Sequence, residues 1–86
     1  MKNIPDTIAN HFADTSDRPR VTQVFANGHW QSFALEVNPT WDAIWAYKNM
    51  GVSTIAVTAG DRTADFTMGE LTREANRPAL SSAPRR

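Results

Sequence analysis

Three features of the sequence predict an α+β fold. An Asn-Gly dipeptide sits between two alternating runs, an amphipathic helix carrying two tryptophans follows, and a second pair of alternating runs comes after that helix. Together they give the order αββαββ. That order favours a single small domain over residues 1–77, with a four-stranded, mainly antiparallel sheet and two helices on one face. The 86 residues allow one domain, and a fold this small buries only about 60% of its unfolded surface, so its stability is marginal.

The first element is a short helix over residues 4–13. Ile4, Ile8 and Phe12 recur at four-residue spacing, and Ala9 widens the stripe. Pro5 and Asp6 suit a first turn. About ten residues hold a helix only with tertiary support. The stretch Asp14-Thr15-Ser16-Asp17-Arg18-Pro19 is turn chemistry.

Residues 20–37 form a hairpin around Asn27-Gly28, both of which tolerate positive φ. A two-residue turn sets Phe25 opposite Trp30, Val24 opposite Gln31 and Thr22 opposite Phe33. The period of two then sorts Thr22, Val24, Phe33, Leu35 and Val37 onto one face, and Val21, Phe25, Trp30, Ala34 and Glu36 onto the other. The first face has more aliphatic bulk and is assigned to the core. The second leaves a Phe25–Trp30 cross-strand pair outside, a contact that contributes about 0.2–1 kcal/mol by itself.

The central helix spans Asn38 to Gly51, with Asn38 as cap, Pro39 in the first turn and Gly51 just past the end. At about 100° per residue, Ala43, Ile44, Ala46, Tyr47 and Met50 share one arc, while Trp41, Trp45 and Lys48 lie together on another. Two packings follow. Either the first arc meets the sheet and the tryptophans sit on a shoulder, or the tryptophans wedge into the core and Lys48 snorkels past them. The second is favoured because a small core needs its large residues.

Residues 52–59 alternate as a half-buried strand, Gly60 to Thr63 is a turn, and residues 64–68 alternate again with Phe66 and Met68 inward. Leu71 and Ala75 suit a short final helix. At an offset of 33, Val24, Ala26 and Phe33 align with Val57, Ala59 and Phe66, which is a shared pattern of elements with few identities. Residues 78–86, the basic tail, have too few apolar side chains to pack and are expected to be disordered.

Little in the chain points to catalysis. There is no Gly-rich phosphate loop and no GxSxG elbow. His11 lies beside the apolar stripe of the first helix, and His29 lies at the hairpin tip. Neither has a second ligand at metal spacing, so no metal and no cofactor is expected. Asp61 and Asp65 flank a tight turn, where aspartate usually bonds its own backbone. Cysteine is absent, which suits a reducing cytoplasm, the expected location. No signal peptide and no membrane span are expected.

Formal net charge is zero, with nine Lys and Arg against nine Asp and Glu. That disfavours duplex nucleic acid, whose binding rests on clustered positive charge. The expected function is therefore a small non-enzymatic protein-binding module: an inhibitor, adaptor or regulator of a larger assembly, of the kind carried by phages, plasmids and other mobile elements. Self-association through the open sheet face or an edge strand is a variant of it. The candidate partner-binding residues are Trp41, Trp45 and Lys48 on the helix, and Phe25, His29 and Trp30 on the strands, joined by Arg62 if the two hairpin tips are neighbours. The alternatives are a single-stranded nucleic-acid binder stacking bases on Phe25 and Trp30, distinguished by salt-dependent retention on heparin, or a small enzyme subunit. Deleting residues 78–86 is expected to leave the melting temperature unchanged; a clear drop in a thermal scan would mean that the tail is docked.

Overall fold

The chain runs α1 (Asp6–His11), β1 (Arg20–Ala26), β2 (His29–Val37), α2 (Trp41–Asn49), β3 (Thr54–Ala59), β4 (Arg62–Thr67) and α3 (Met68–Asn76). This is a computed structural model that describes residues 3–76, the side chains of Phe33 and Ala34 excepted. The tail 78–86, and the inward placement expected for Phe33, lie outside what it describes. The fold is a small α+β domain with an antiparallel sheet, and it differs from the expected αββαββ order by a third helix after β4. The strands lie in the order β2-β1-β3-β4, with every neighbouring pair antiparallel.

The hairpin turn forms as its residues dictate. Asn27 and Gly28 take φ of 57° and 86°, both positive as a two-residue turn matched to strand twist requires. Ala26 then faces His29, Phe25 faces Trp30 and Val24 faces Gln31. Beyond Gln23 the strict alternation fails. Val21 pairs with Val57 and Gln23 with Ala56, so Thr22 is an extra residue against β3. Such a bulge moves side chains to the opposite face on either side of it. Val21 is therefore fully buried, and Thr22 hydrogen-bonds the Thr58 hydroxyl at 3.2 Å among the outward-facing threonines. This reverses the assignment of Val21 and Thr22 drawn from a period of two. Leu35, expected inside, is 80% exposed, while Val37 packs against the core as expected.

One core cluster ties the helices to a single sheet face. It joins Ile8 of α1, Phe12 just past it, Ile44 and Tyr47 of α2, and Leu71 of α3 to Val24, Ile55, Val57 and Phe66 of the strands. The first helix is shorter than residues 4–13, beginning after Pro5, which occupies the cap position. Met68 is buried as expected, but it opens α3 rather than closing β4. Leu71 is buried and Ala75 is exposed. The start of α3 is set by reciprocal bonds, in which the Thr67 amide donates to the Glu70 carboxylate at 2.9 Å and the Glu70 amide donates to the Thr67 hydroxyl at 3.1 Å. Both partners satisfy amides that a helix start leaves orphaned.

The caps of α2 also differ from the sequence reading. Thr40, not Asn38, is the cap, and its hydroxyl accepts from the Ala43 amide at 3.2 Å. Pro39 lies just outside the helix and is buried. At the other end Gly51 does take positive φ, 89°. Its amide donates to Lys48 O at 3.1 Å, and the Val52 amide donates to Tyr47 O at 3.0 Å, closing the last turn. Neither packing drawn for this helix is fully realised. Ile44 and Tyr47 are its buried residues, with Trp41 and Ala43 packed beside them. Ala46 and Met50 face outward. Burial pushes the Tyr47 phenol pKa above its ordinary value of 10.0.

Glu74 ties the last helix to the first. Its carboxylate accepts from the amides of Asp6 at 2.6 Å and Thr7 at 2.9 Å, which are free donors at the start of α1. A six-residue helix has little stability of its own, so this remote cap helps to hold it in place. Glu74→Ala should destabilise the domain by about 1 kcal/mol in urea unfolding. An unchanged midpoint would show that water serves the α1 amides equally well.

Candidate functional site

The strands leave one sheet face without a helix. Register assigns residues to it, because directly paired residues in an antiparallel sheet share a face. Across β2, β1, β3 and β4 the open face carries Trp30 and Ser32, then Gln23 and Phe25, then Thr54, Ala56 and Thr58, then Thr63, Asp65 and Thr67. Phe25 and Trp30 sit at its hairpin end with ring centroids 5.3 Å apart and planes at 68°, an edge-to-face pair. The Ala26–His29 pair closes the turn, so Phe25–Trp30 is the next rung, where side chains approach more closely. Phe25 is half-buried, and Trp30 is 41% exposed.

Several polar groups on the remainder of this face bond one another. Thr22 meets Thr58 at 3.2 Å, and Thr58 meets Thr63 at 3.0 Å, a chain running across β1, β3 and β4. The Gln23 amide donates to Ser32 Oγ at 3.1 Å. Arg20 and Glu36 pair at 3.0 Å. Because these groups already have partners, covering the face costs less desolvation than its polar composition suggests. Val21, expected here, is in the core instead. The threonine chain was not singled out from the sequence. Its signal, Thr22, Thr58 and Thr63 within alternating runs, identifies a face only once the register is known.

The structure divides the sequence-predicted residues among three places. Phe25 and Trp30 form the pair just described, and His29 follows the same turn, exposed and opposite Ala26. Trp41 and Trp45 stack on α2, with centroids 6.2 Å apart and planes at 26°. Trp41 leans on the core, Trp45 is 38% exposed, and Lys48 is exposed on the same helix.

Arg62 is at the opposite end of the sheet from His29. The strands alternate in direction, so the β1–β2 turn and the β3–β4 turn lie at opposite ends, and the supposition that the two tips are neighbours fails. Arg62 instead pairs with Asp14, donates to His11 O at 3.3 Å and lies 5.5 Å over the Phe12 ring. Its guanidinium holds the Asp14 carboxyl below the ordinary 3.8, chiefly through their hydrogen bond. The His11 ring meets Phe12 and Phe66 edge-on at 4.8 and 5.5 Å. These contacts fasten the end of α1 to the sheet.

Among the described residues no group of three or more His, Cys, Asp or Glu side chains is placed to hold a metal ion, and no helix is long and apolar enough to cross a membrane. The architecture thus defines a small α+β domain with one helix-covered and one open sheet face. Comparison with family models, with characterised proteins and with solved structures gives no match.

The two tryptophans of α2 should separate on mutation. Trp41→Ala removes packing from the core and is expected to cost about 2 kcal/mol or more, whereas Trp45→Ala should cost about 0.5 kcal/mol. Chemical denaturation checks both, and equal losses would mean that the stacked pair acts as one packed unit.

Proposed function

We propose that this chain is a small non-enzymatic protein-binding module, acting as an inhibitor, adaptor or regulator of a larger protein assembly. The observation that carries the reading is the Phe25–Trp30 pair, held by a tight turn at the end of an uncovered face whose central polar groups bond each other. Aromatic anchors on a rigid element, beside polar groups such as Gln23 and Ser32 that already bond each other, suit a protein interface. The Trp41–Trp45 stack with Lys48 offers a smaller second contact on the helical side.

Charge supports a protein partner over a nucleic acid. All nine acidic residues lie within residues 1–77, against seven of the nine Lys and Arg, so the domain carries no excess of positive charge. Asp65 stands on the open face itself. A phosphate backbone laid there meets no cluster of cations.

The reading is tested by capture from host lysate with the wild-type chain, Trp30→Ala and Phe25→Ser in parallel. A partner retained by the wild type and lost by at least about tenfold in both variants, with far-UV circular dichroism unchanged, is the expected outcome. Equal capture by all three proteins would place binding elsewhere.

A further inference from the structure

The two edges of this sheet are unequal. β4 is six residues long, carries the exposed Asp65, and passes directly into α3. Charges, short length and a covering helix are the usual protections of a sheet edge. β2 is less protected, although its register against β1 is irregular between Ser32 and Val37. It is nine residues long with no proline and no lysine. Its one carboxylate, Glu36, is neutralised by Arg20 of the neighbouring strand. Apart from Val37, every β2 side chain that the structure describes is exposed, including Leu35 at 80%. The helical layer covers β1, β3 and β4 and barely reaches β2.

We infer that β2 pairs antiparallel with β2 of a second copy, joining two sheets edge to edge. Three observations favour a second copy over another occupant. An antiparallel strand edge is complementary to itself under a two-fold axis, so one surface serves both partners. The Arg20–Glu36 pair leaves no unbalanced charge to repel its own copy across that axis. The assembly also closes at two, because the outer edges of the joined sheet are the protected β4 strands, which do not template further addition. Counting from the Ala26–His29 rung, Trp30 and Ser32 direct their backbone N–H and C=O away from β1, towards the incoming strand. The contact is small. A standard interface buries roughly 800 Å² per partner, and one strand edge with parts of Trp30 and Leu35 supplies about half of that. The dimer should therefore form in the micromolar range. This inference makes specific the edge-strand self-association that the sequence allows; Trp30 borders both surfaces, and Leu35→Lys, which leaves Phe25 and Trp30 in place, separates them.

Sedimentation velocity across a concentration series, with wild type, Leu35→Lys and Ser32→Pro, decides it. Wild type should move from single to double mass as concentration rises. Leu35→Lys adds a charge at the edge and Ser32→Pro removes an outward N–H, and each should weaken association by about tenfold or more. Leu35 is exposed, so Leu35→Lys should keep the wild-type circular dichroism spectrum even if the proline variant does not. Both variants retain Phe25 and Trp30, so partner capture is read independently. A single mass at every concentration overturns the inference. So does a dimer indifferent to Leu35→Lys, which would place the contact on another surface.

Discussion

The pairing of β1 with β3 is the contact on which the other elements depend. It joins the two hairpins across a connection that contains all of α2, and it puts Val21 against Val57 and Val24 against Ile55 at the centre of the core. Both valines of β1 can face inward only because Thr22 is an extra residue between them. Without that bulge, residues 21 and 24 would fall on opposite faces, as the period of two demands. The bulge keeps the inner face aliphatic and sends Thr22 to the hydroxyl chain on the outer one.

That central pairing also determines where the helices go. Three short helices and the residue just past α1 supply Ile8, Phe12, Ile44, Tyr47 and Leu71 to one face, enough to cover β1, β3 and β4. No helix remains for the opposite face or for β2, which is why both lie open. A domain of this size has too little chain to cover two faces, and its open surface is built from residues that tolerate water or bond each other. Phe25 and Trp30, which lie side by side, and Leu35 on β2 are exceptions.

The peripheral contacts serve one purpose, which is to hold α1. Glu74 satisfies its first amides from α3, while Arg62 reaches Asp14 and the carbonyl of His11 just beyond its last turn. The Asn3 carbonyl accepts from the Trp41 amide at 2.7 Å, tying the chain before α1 to the start of α2. A helix of six residues has no independent stability, so its position is set by groups that other elements supply. Arg62, which from the sequence looked available to a partner, is occupied by this work.

The sequence by itself determined the elements whose causes are local. The Asn27-Gly28 turn and the Phe25–Trp30 rung follow from backbone preference and counting, and the end of α2 at Gly51 follows from its access to positive φ. The start of α3 is equally local, in the reciprocal bonds of Thr67 and Glu70. Only the tertiary structure decided matters of register and direction. A bulge leaves no mark in composition, so Val21 and Thr22 exchanged faces, and Leu35, in the stretch of β2 where the register with β1 shifts, emerged outside. Thr40 displaced Asn38 as cap because a preference for either leaves the chain's entry angle open, and the buried Pro39 with the Asn3 contact settles it. The α2 tryptophans were divided between core and surface by where Ile44 and Tyr47 met the sheet. The separation of His29 from Arg62 followed from strand order, since antiparallel pairing of β1 with β3 sends the two turns to opposite ends. Short-range chemistry is written residue by residue, whereas the choice of face and end depends on contacts between segments far apart in the chain.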